Sequence, residues 1–290
     1  MKDEGSMAEA VLPYRGGINR ETRLCISLAG RPGNFGTRFH NHLYDRLGLN
    51  YLYKACTTDD IGAAVKGIRA LGIRGAGISM PFKESCIPFL DDLRESASGI
   101  RSVNTIVNND GHLSGYNTDY IAVRHLLEAR SLNTHSPVLL RGSGGMGKTV
   151  AAAFHDMGFA DGVIAARNPV EGKAVADRQG WQWVEKPESL ASSYYDGSIL
   201  VNVTPLGMAG GLDATYLSFP EYMVARASLV VEIVAMPVET PLVLVARHLE
   251  KPVITGNEVA ALQALEQFVL YTGVRPENDL VADAARFANS

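Results

Sequence analysis

Short apolar runs and helix-spaced apolar residues alternate along this chain. Leu24-Cys25-Ile26-Ser27-Leu28, Tyr51-Leu52-Tyr53, Ala76-Gly77-Ile78-Ser79 and Val103-Asn104-Thr105-Ile106-Val107 read as strands, with helical patterns over 38–47 and 59–71 between them. That βαβ rhythm predicts a mostly parallel sheet covered on both faces. A helix from Thr118 to about Arg130 leads into the polar break Ser131–Pro137, which reads as a domain boundary. The rhythm then resumes. The strand Pro137–Leu140 is followed by a helix from Met146 to Met157, strands near 162–166, 181–184, 198–203 and 228–234, and helices near 240–249, 257–272 and 277–289. The expected fold class is α/β with two domains, an N-terminal open α/β domain over 22–130 and a C-terminal Rossmann domain over 137–256. The helices of 257–290 are expected to return to the first domain.

The most specific local signal is Arg141-Gly142-Ser143-Gly144-Gly145-Met146-Gly147-Lys148-Thr149. As G-x-x-x-x-G-K-T it matches the P-loop of nucleoside triphosphatases, where lysine reaches a terminal phosphate and the threonine hydroxyl holds magnesium. As a glycine-rich turn between a strand and a helix it also fits a dinucleotide-binding turn, with a pyrophosphate at the helix N-terminus. Context favours the dinucleotide. Arg167 follows the next strand, close to the distance of roughly 20 residues at which such folds read the adenosine ribose. An arginine there offers a planar donor fork to a 2′-phosphate, which points to NADP over NAD. A Walker B strand should end in an aspartate, whereas the later strands end at Asn202 and Glu232.

Composition removes several classes of function. With 290 residues, 46% of them hydrophobic, the chain can build two ordinary cores. A formal charge of −4 without a long basic run argues against nucleic acid as the main partner. No apolar stretch approaches the roughly 20 residues needed to cross a bilayer, and the start lacks the apolar core of a secretory signal, so the cytoplasm is the expected location. Residues 1–21 read as a polar or expression-derived lead-in, expected to be disordered. Cys25, Cys56 and Cys86 are spaced as reduced thiols, without a disulfide framework or zinc spacing. His40 and His42 form an H-x-H, but residues two apart on a helix face different ways, so no metal is expected. Trp181 and Trp183 read as packing residues.

Candidate chemistry in the first block stands just after the strands, where open α/β sheets bind ligands. Three motifs stand at strand ends: Ser79-Met80-Pro81-Phe82-Lys83, Ser102-Val103-Asn104-Thr105 and Gly115-Tyr116-Asn117-Thr118-Asp119. Lys83 follows a proline-bearing turn, and Asp119 stands at a helix start, where amide ends stabilise a carboxylate. The two could share one proton between them. Asp119, or Thr118 beside it, also fits a plain N-cap.

Taken in order, SMPFK, SVNT, GYNTDY, GSGG, NVTPLGM, MPVETPL and the glutamine of GNEVAALQALEQF resemble the shikimate dehydrogenase family over residues 22–290. The resemblance implies an N-terminal substrate domain and an NADP-binding Rossmann domain around a cleft. It implies reversible oxidation of a ring hydroxyl of shikimate, or of a related cyclic hydroxy acid such as quinate, to 3-dehydroshikimate, a step of aromatic amino acid (chorismate) biosynthesis. Carried over by motif, Lys83 and Asp119 become the catalytic pair. Asn34, Ser79, Asn104, Thr105 and Gln263 become substrate contacts. Gly142, Ser143, Gly144, Gly145, Met146, Arg167, Asn168, Thr204, Met208 and Gly256 become cofactor contacts. The expected partner is thus a small cyclic hydroxy acid, with no nucleic acid or membrane, and the expected assembly a monomer or homodimer.

The chain also departs from the family pattern. Where the family has two serines one residue apart before a His-Asn pair, this chain has Asn34 and Gly36 before His40-Asn41, with Thr37 and Arg38 nearby. Gly77 replaces the asparagine that opens the NVTxPxK-type motif, and Ala235 replaces a tyrosine before the later MP pair. Each donor lost to a buried carboxylate costs about 1.5–3 kcal/mol, roughly tenfold to hundredfold in affinity. This pattern resembles the shikimate dehydrogenase-like branch. Two other functions stay open at this point: an ATP-dependent P-loop phosphotransferase, and a non-catalytic sensor of NADP and a small acid.

Overall fold

The computed structural model describes residues 17–290; the part of the expected lead-in over 1–16 lies outside the described residues. In chain order the elements are β1 (Arg23–Ala29), α1 (Phe35–Arg46), β2 (Tyr51–Thr57), α2 (Ile61–Ala70), β3 (Gly75–Ile78), β4 (Asp92–Leu93), α3 (Glu95–Ser98), β5 (Thr105–Asn109), β6 (His112–Tyr116) and α4 (Thr118–Glu128). They continue with β7 (Val138–Arg141), α5 (Gly145–Asp156), β8 (Gly162–Ala165), α6 (Pro169–Gln179), β9 (Gln182–Val184), β10 (Ile199–Asn202), α7 (Glu221–Arg226), β11 (Leu229–Glu232), α8 (Pro241–His248), β12 (Val253–Ile254), α9 (Gly256–Thr272) and α10 (Asn278–Asn289). Chain contacts divide these into two compact units. One holds the described residues up to Asp91 with Thr105–Ser114 and Gln267–Ser290; the other holds Asp92–Asn104 and Gly115–Glu266.

In the first unit β1 lies between β2 and β3 and is parallel to both. Helix α1 turns Phe39, His40, Leu43 and Tyr44 inward, a spacing that forms one stripe on a helix. Helix α2 buries Ile61, Val65 and Ile68, and its Asp60 cap accepts the Ala63 amide at 2.8 Å. α10 lies against α1: Arg38 donates to the Phe287 carbonyl, and His42 meets Asp283 at 2.9 Å.

The expectation of a mostly parallel sheet fails at β5, which runs antiparallel to β3. After β5 the chain reverses at once through the turn Asn109-Asp110-Gly111-His112. Asp110 and Gly111 both take positive φ, 51° and 93°, the backbone of a two-residue hairpin turn that aspartate-glycine favours. β5 therefore folds back as a hairpin with β6, and no helix crosses over.

The second unit contains a six-stranded sheet in the order β12-β11-β10-β7-β8-β9, parallel at every pairing. Counted from β7 this is 3-2-1-4-5-6, the doubly wound dinucleotide-binding order, which reverses direction between β7 and β10. Alternate residues explain burial on both faces. Val138, Leu140, Ile164, Val201 and Val231 enter one core, while Leu139, Val163, Leu200 and Val230 enter the other. Among the described residues, no helix is long and apolar enough to cross a membrane.

Candidate active site

The glycine turn lies at the carboxyl end of β7, beside the point where the strand order reverses. Gly142 has φ +120°, and a Cβ on it would stand 2.8 Å from Val203 Cγ2, so only glycine makes this turn. A Cβ on Gly147 would stand 2.6 Å from the Gly142 carbonyl oxygen, which fixes how closely α5 approaches the turn. Gly144 and Gly145 differ: nothing lies within 4 Å of a Cβ built on either. Gly144 caps α5 without a side-chain bond. The turn is thus G-x-G-x-x-G over Gly142, Gly144 and Gly147, with an open face and uncapped amides at a helix N-terminus that suit a pyrophosphate. Gly147 is a residue the sequence reading left out, although its spacing was visible. Ser143 and Met146 lie within this turn and the first turn of α5, both half-buried.

A P-loop requires lysine and threonine at the mouth of the loop. Here α5 already begins at Gly145, so Lys148 lies inside the helix and its ammonium is 3.9 Å from Glu171 of α6. The Thr149 hydroxyl is buried and donates to the Gly145 carbonyl at 3.0 Å. Neither group is presented to a triphosphate and its magnesium. Arg167 is exposed just past β8. Asn168 caps α6, its side-chain oxygen accepting the amides of Val170 and Glu171 at 3.0 and 3.3 Å.

Beyond β10 and β11 two loops are tied to one buried carboxyl group. Glu232 Oε1 accepts from Asn202 Nδ2 and from the Val234 amide, each at 2.9 Å, and Oε2 accepts from Thr240 Oγ1 at 2.9 Å. Asn202 in turn accepts from the Thr204 hydroxyl at 2.6 Å and the Thr204 amide at 3.1 Å. Burial pushes the Glu232 carboxyl up to about 7, against the opposing pull of these donors. Met208 is partly exposed on the first loop. Gly256 opens α9 where a Cβ would stand 2.3 Å from the Val234 carbonyl oxygen, so the backbone of the second loop closes directly onto it.

Three expected site residues of the second unit, Asn104, Asp119 and Gln263, gather around α4. Asn104 Oδ1 accepts the Thr118 amide at 2.7 Å and its hydroxyl at 3.1 Å, and Thr118 Oγ1 reaches Gln263 Oε1 at 3.5 Å. The helix cap is Asn117, whose side chain accepts the Tyr120 amide at 3.0 Å. The alternative of Asp119 or Thr118 as a plain N-cap is therefore corrected: Asp119 is in the first turn, past the cap, and is 9% exposed. Asn117 Nδ2 also donates to the Ser102 carbonyl at 2.9 Å, stitching SVNT to GYNTD.

In the first unit, Ser79 and Lys83 bracket the turn after β3, with the Phe82 amide donating to the Ser79 carbonyl at 2.9 Å and a cis Met80–Pro81 peptide between them. Ser79 is exposed and Lys83 half-buried. Thr105 is wholly buried and accepts from Gln267 Nε2 at 3.0 Å; Gln267 is a further polar residue that the sequence reading passed over. Asn34 is exposed at the start of α1 and makes no side-chain cap bond. Arg38 does not stand in for the missing serines: its guanidinium bonds the Phe287 carbonyl and the Ser290 hydroxyl and stacks 4.6 Å from the Phe287 ring. Tyr53 crowds Gly77 and only touches the space at Gly36, where a Cβ would make ordinary van der Waals contact. A Cβ on Gly77 would lie 2.8 Å from its hydroxyl, and one on Gly36 3.5 Å from it. His40 stacks on Tyr53 at 4.3 Å whereas His42 turns to Asp283 and Phe287.

A doubly wound parallel sheet with a G-x-G-x-x-G turn at its switch point defines a protein with a Rossmann unit. Comparison with known proteins narrows this. The family model described as the shikimate dehydrogenase substrate binding domain matches residues 35–106. A shikimate dehydrogenase-like protein of Haemophilus influenzae is 52% identical over 273 residues, 94% of this chain and 99% of its own. Shikimate dehydrogenase (NADP(+)) of Pyrococcus abyssi is 34% identical over 244 residues, 83% of this chain and 89% of its own. The solved structure of a shikimate 5-dehydrogenase-like protein matches with a TM-score of 0.90 at 52% identity, covering 94% of this chain and 100% of that one. The Thermus thermophilus shikimate 5-dehydrogenase in complex with NADP(H) and shikimate matches with 0.79 at 27% identity, covering 91% and 99%. The chain belongs to the shikimate dehydrogenase family.

Proposed function

We propose that this protein is an NADP-dependent oxidoreductase that interconverts shikimate, or a related cyclic hydroxy acid such as quinate, and the corresponding ring ketone. The observation that carries this is the Gly142–Gly147 turn opening α5 at the switch point, together with Arg167 just past β8. The amides at the start of α5 hold the pyrophosphate, and Arg167 supplies the donor fork for the 2′-phosphate. Ser143, Gly144, Gly145 and Met146 line that turn; Thr204 and Met208 on the loop after β10, and Gly256 at the start of α9, are assigned to the nicotinamide side. NADP held there would supply the hydride acceptor for the substrate's carbinol carbon. We assign the substrate domain to 22–130 with the return of 257–290, and the cofactor domain to 137–256.

Lys83 and Asp119 take up the hydroxyl proton, and the ammonium of Lys83 stabilises alkoxide character as it develops on the oxygen. Asn34, Ser79, Asn104, Thr105 and Gln263 orient the ring and its substituents. Asn104 and Thr118 support the start of α4, so the Asp119 backbone is fixed before substrate arrives. A phosphotransferase is disfavoured by the start of α5 at Gly145 and by the Lys148–Glu171 pair. The experiment is an absorbance assay of nicotinamide reduction with shikimate and quinate against both NADP and NAD. Reduction of NADP in preference to NAD supports the assignment. Binding of ATP with magnesium, lost in Lys148→Ala, overturns it.

A further inference from the structure

The carboxyl group of Glu232 is not among the expected cofactor contacts, yet it joins the segments that carry them. It lies at the carboxyl end of β11, wholly buried. One oxygen takes Asn202 Nδ2 and the Val234 amide; the other takes the hydroxyl of Thr240, which caps α8 by accepting the Val243 amide at 3.3 Å. Through Asn202 the network reaches the Thr204 amide and hydroxyl, and the Thr204 hydroxyl accepts the Leu206 amide at 3.3 Å. Other ties close the same loops on each other. The Ala209 amide donates to the Met236 carbonyl at 2.9 Å, and Gly207, with φ +85°, packs where a Cβ would be 3.2 Å from Pro241 and 3.3 Å from Thr240.

We propose that Glu232 is the positioning residue of the cofactor site: it sets the loop after β10, with Thr204, against the turn after β11 and the start of α8, so that the nicotinamide end of NADP meets a preformed edge. It touches neither cofactor nor substrate, and it acts through Asn202. The inference rests on the NADP reading above. Physical reasoning supports such a role because a buried acceptor that satisfies three donors from three segments fixes their relative geometry. Removing it takes the acceptor from the Val234 amide and the Thr240 hydroxyl and leaves Asn202 Nδ2 with only the Leu206 carbonyl at 3.3 Å.

Three variants test this, read by equilibrium titration of NADP and by amide hydrogen exchange without cofactor. Glu232→Gln retains an oxygen for Asn202 and Val234, so NADP affinity should stay within about threefold of wild type. Glu232→Leu keeps similar volume but accepts nothing; NADP should weaken by about tenfold or more, with faster exchange at the Thr204 and Leu206 amides. Glu232→Asp keeps the carboxylate on a shorter stem and should weaken NADP relative to Glu232→Gln, which carries the test should Glu232→Leu not fold. NADP affinity unchanged in Glu232→Leu, or in Glu232→Asp where Leu does not fold, overturns the proposal, as does a Gln variant as weak as Leu. Wild-type protein that does not bind NADP at all overturns instead the functional reading on which it stands.

Discussion

Tyr53 and Gly77 share one volume: the phenol oxygen lies 2.8 Å from the point where a Cβ on Gly77 would be. Gly77 is on β3, paired with Ser27 on one side and Thr105 on the other, and Tyr53 is only 3% exposed. Neither can move aside cheaply. Gly77→Ala should therefore destabilise the protein by about 1–3 kcal/mol, as overpacking does. In a Tyr53→Phe background, where the oxygen is gone, the same methyl should be tolerated with a much smaller loss. Urea unfolding of the two single variants and the double variant measures the coupling. Additive losses would show that the phenol is not what excludes a side chain at 77.

Cofactor choice rests on Arg167. Arg167→Ala should weaken NADP by about tenfold or more while changing NAD little, because the lost donor fork has a partner only in the 2′-phosphate. Parallel titrations with both cofactors decide it. Equal weakening of both, or a wild-type preference for NAD, would remove the assignment.

Two buried groups give pH dependences of opposite sign. Burial, only partly offset by the neighbouring Gln267 amide, pulls the His40 imidazole from its ordinary 6.5 down to about 3. The unfolded chain therefore binds a proton below 6.5 that the folded chain refuses, and stability falls as pH drops from 6.5 toward 3. Glu232 works the other way: its folded carboxyl keeps a proton up to about 7 that the unfolded one releases near 4.5, so stability falls as pH rises through that window. The two oppose each other in the wild type, and variants separate them. His40→Phe should lose less stability than wild type on going from neutral to acid pH, by up to about 1.4 kcal/mol per pH unit, the slope of one proton. Denaturation midpoints across that range check it; parallel curves for the two proteins would contradict it.

What the chain reveals without coordinates depends on how local each feature is. The strand runs around Leu139, Ile164, Val201 and Val231 are legible because a parallel strand buried on both faces must be apolar throughout. The glycine turn is legible because its demands are local: Gly142 takes a positive φ, and Gly147 meets the Gly142 carbonyl oxygen. The β5–β6 hairpin is also written locally, in Asp110-Gly111, but His112–Tyr116 is too short and polar to stand out as a strand. At Asn117-Thr118-Asp119 all three residue types can cap a helix, and only the backbone path selects Asn117. Tyr53 beside Gly36 and Gly77, and Glu232 beside Asn202 and Thr240, depend on strands far apart in sequence meeting in one sheet. No local pattern announces them.

The proton-handling pair is the centre of the account, and one comparison addresses it most directly: NADP reduction by shikimate in wild type and in Lys83→Ala, each with NADP binding measured separately. Wild type should turn over. Lys83→Ala should lose about 10²–10⁴ in turnover with NADP affinity nearly unchanged. Asp119→Ala should act on the same step, so the double variant should lose much less than the product of the single losses. Near-normal rates in Lys83→Ala, or losses that multiply, would place the proton transfer on another group; wild-type protein that binds NADP but turns over neither shikimate nor quinate would make it a sensor and contradict the account.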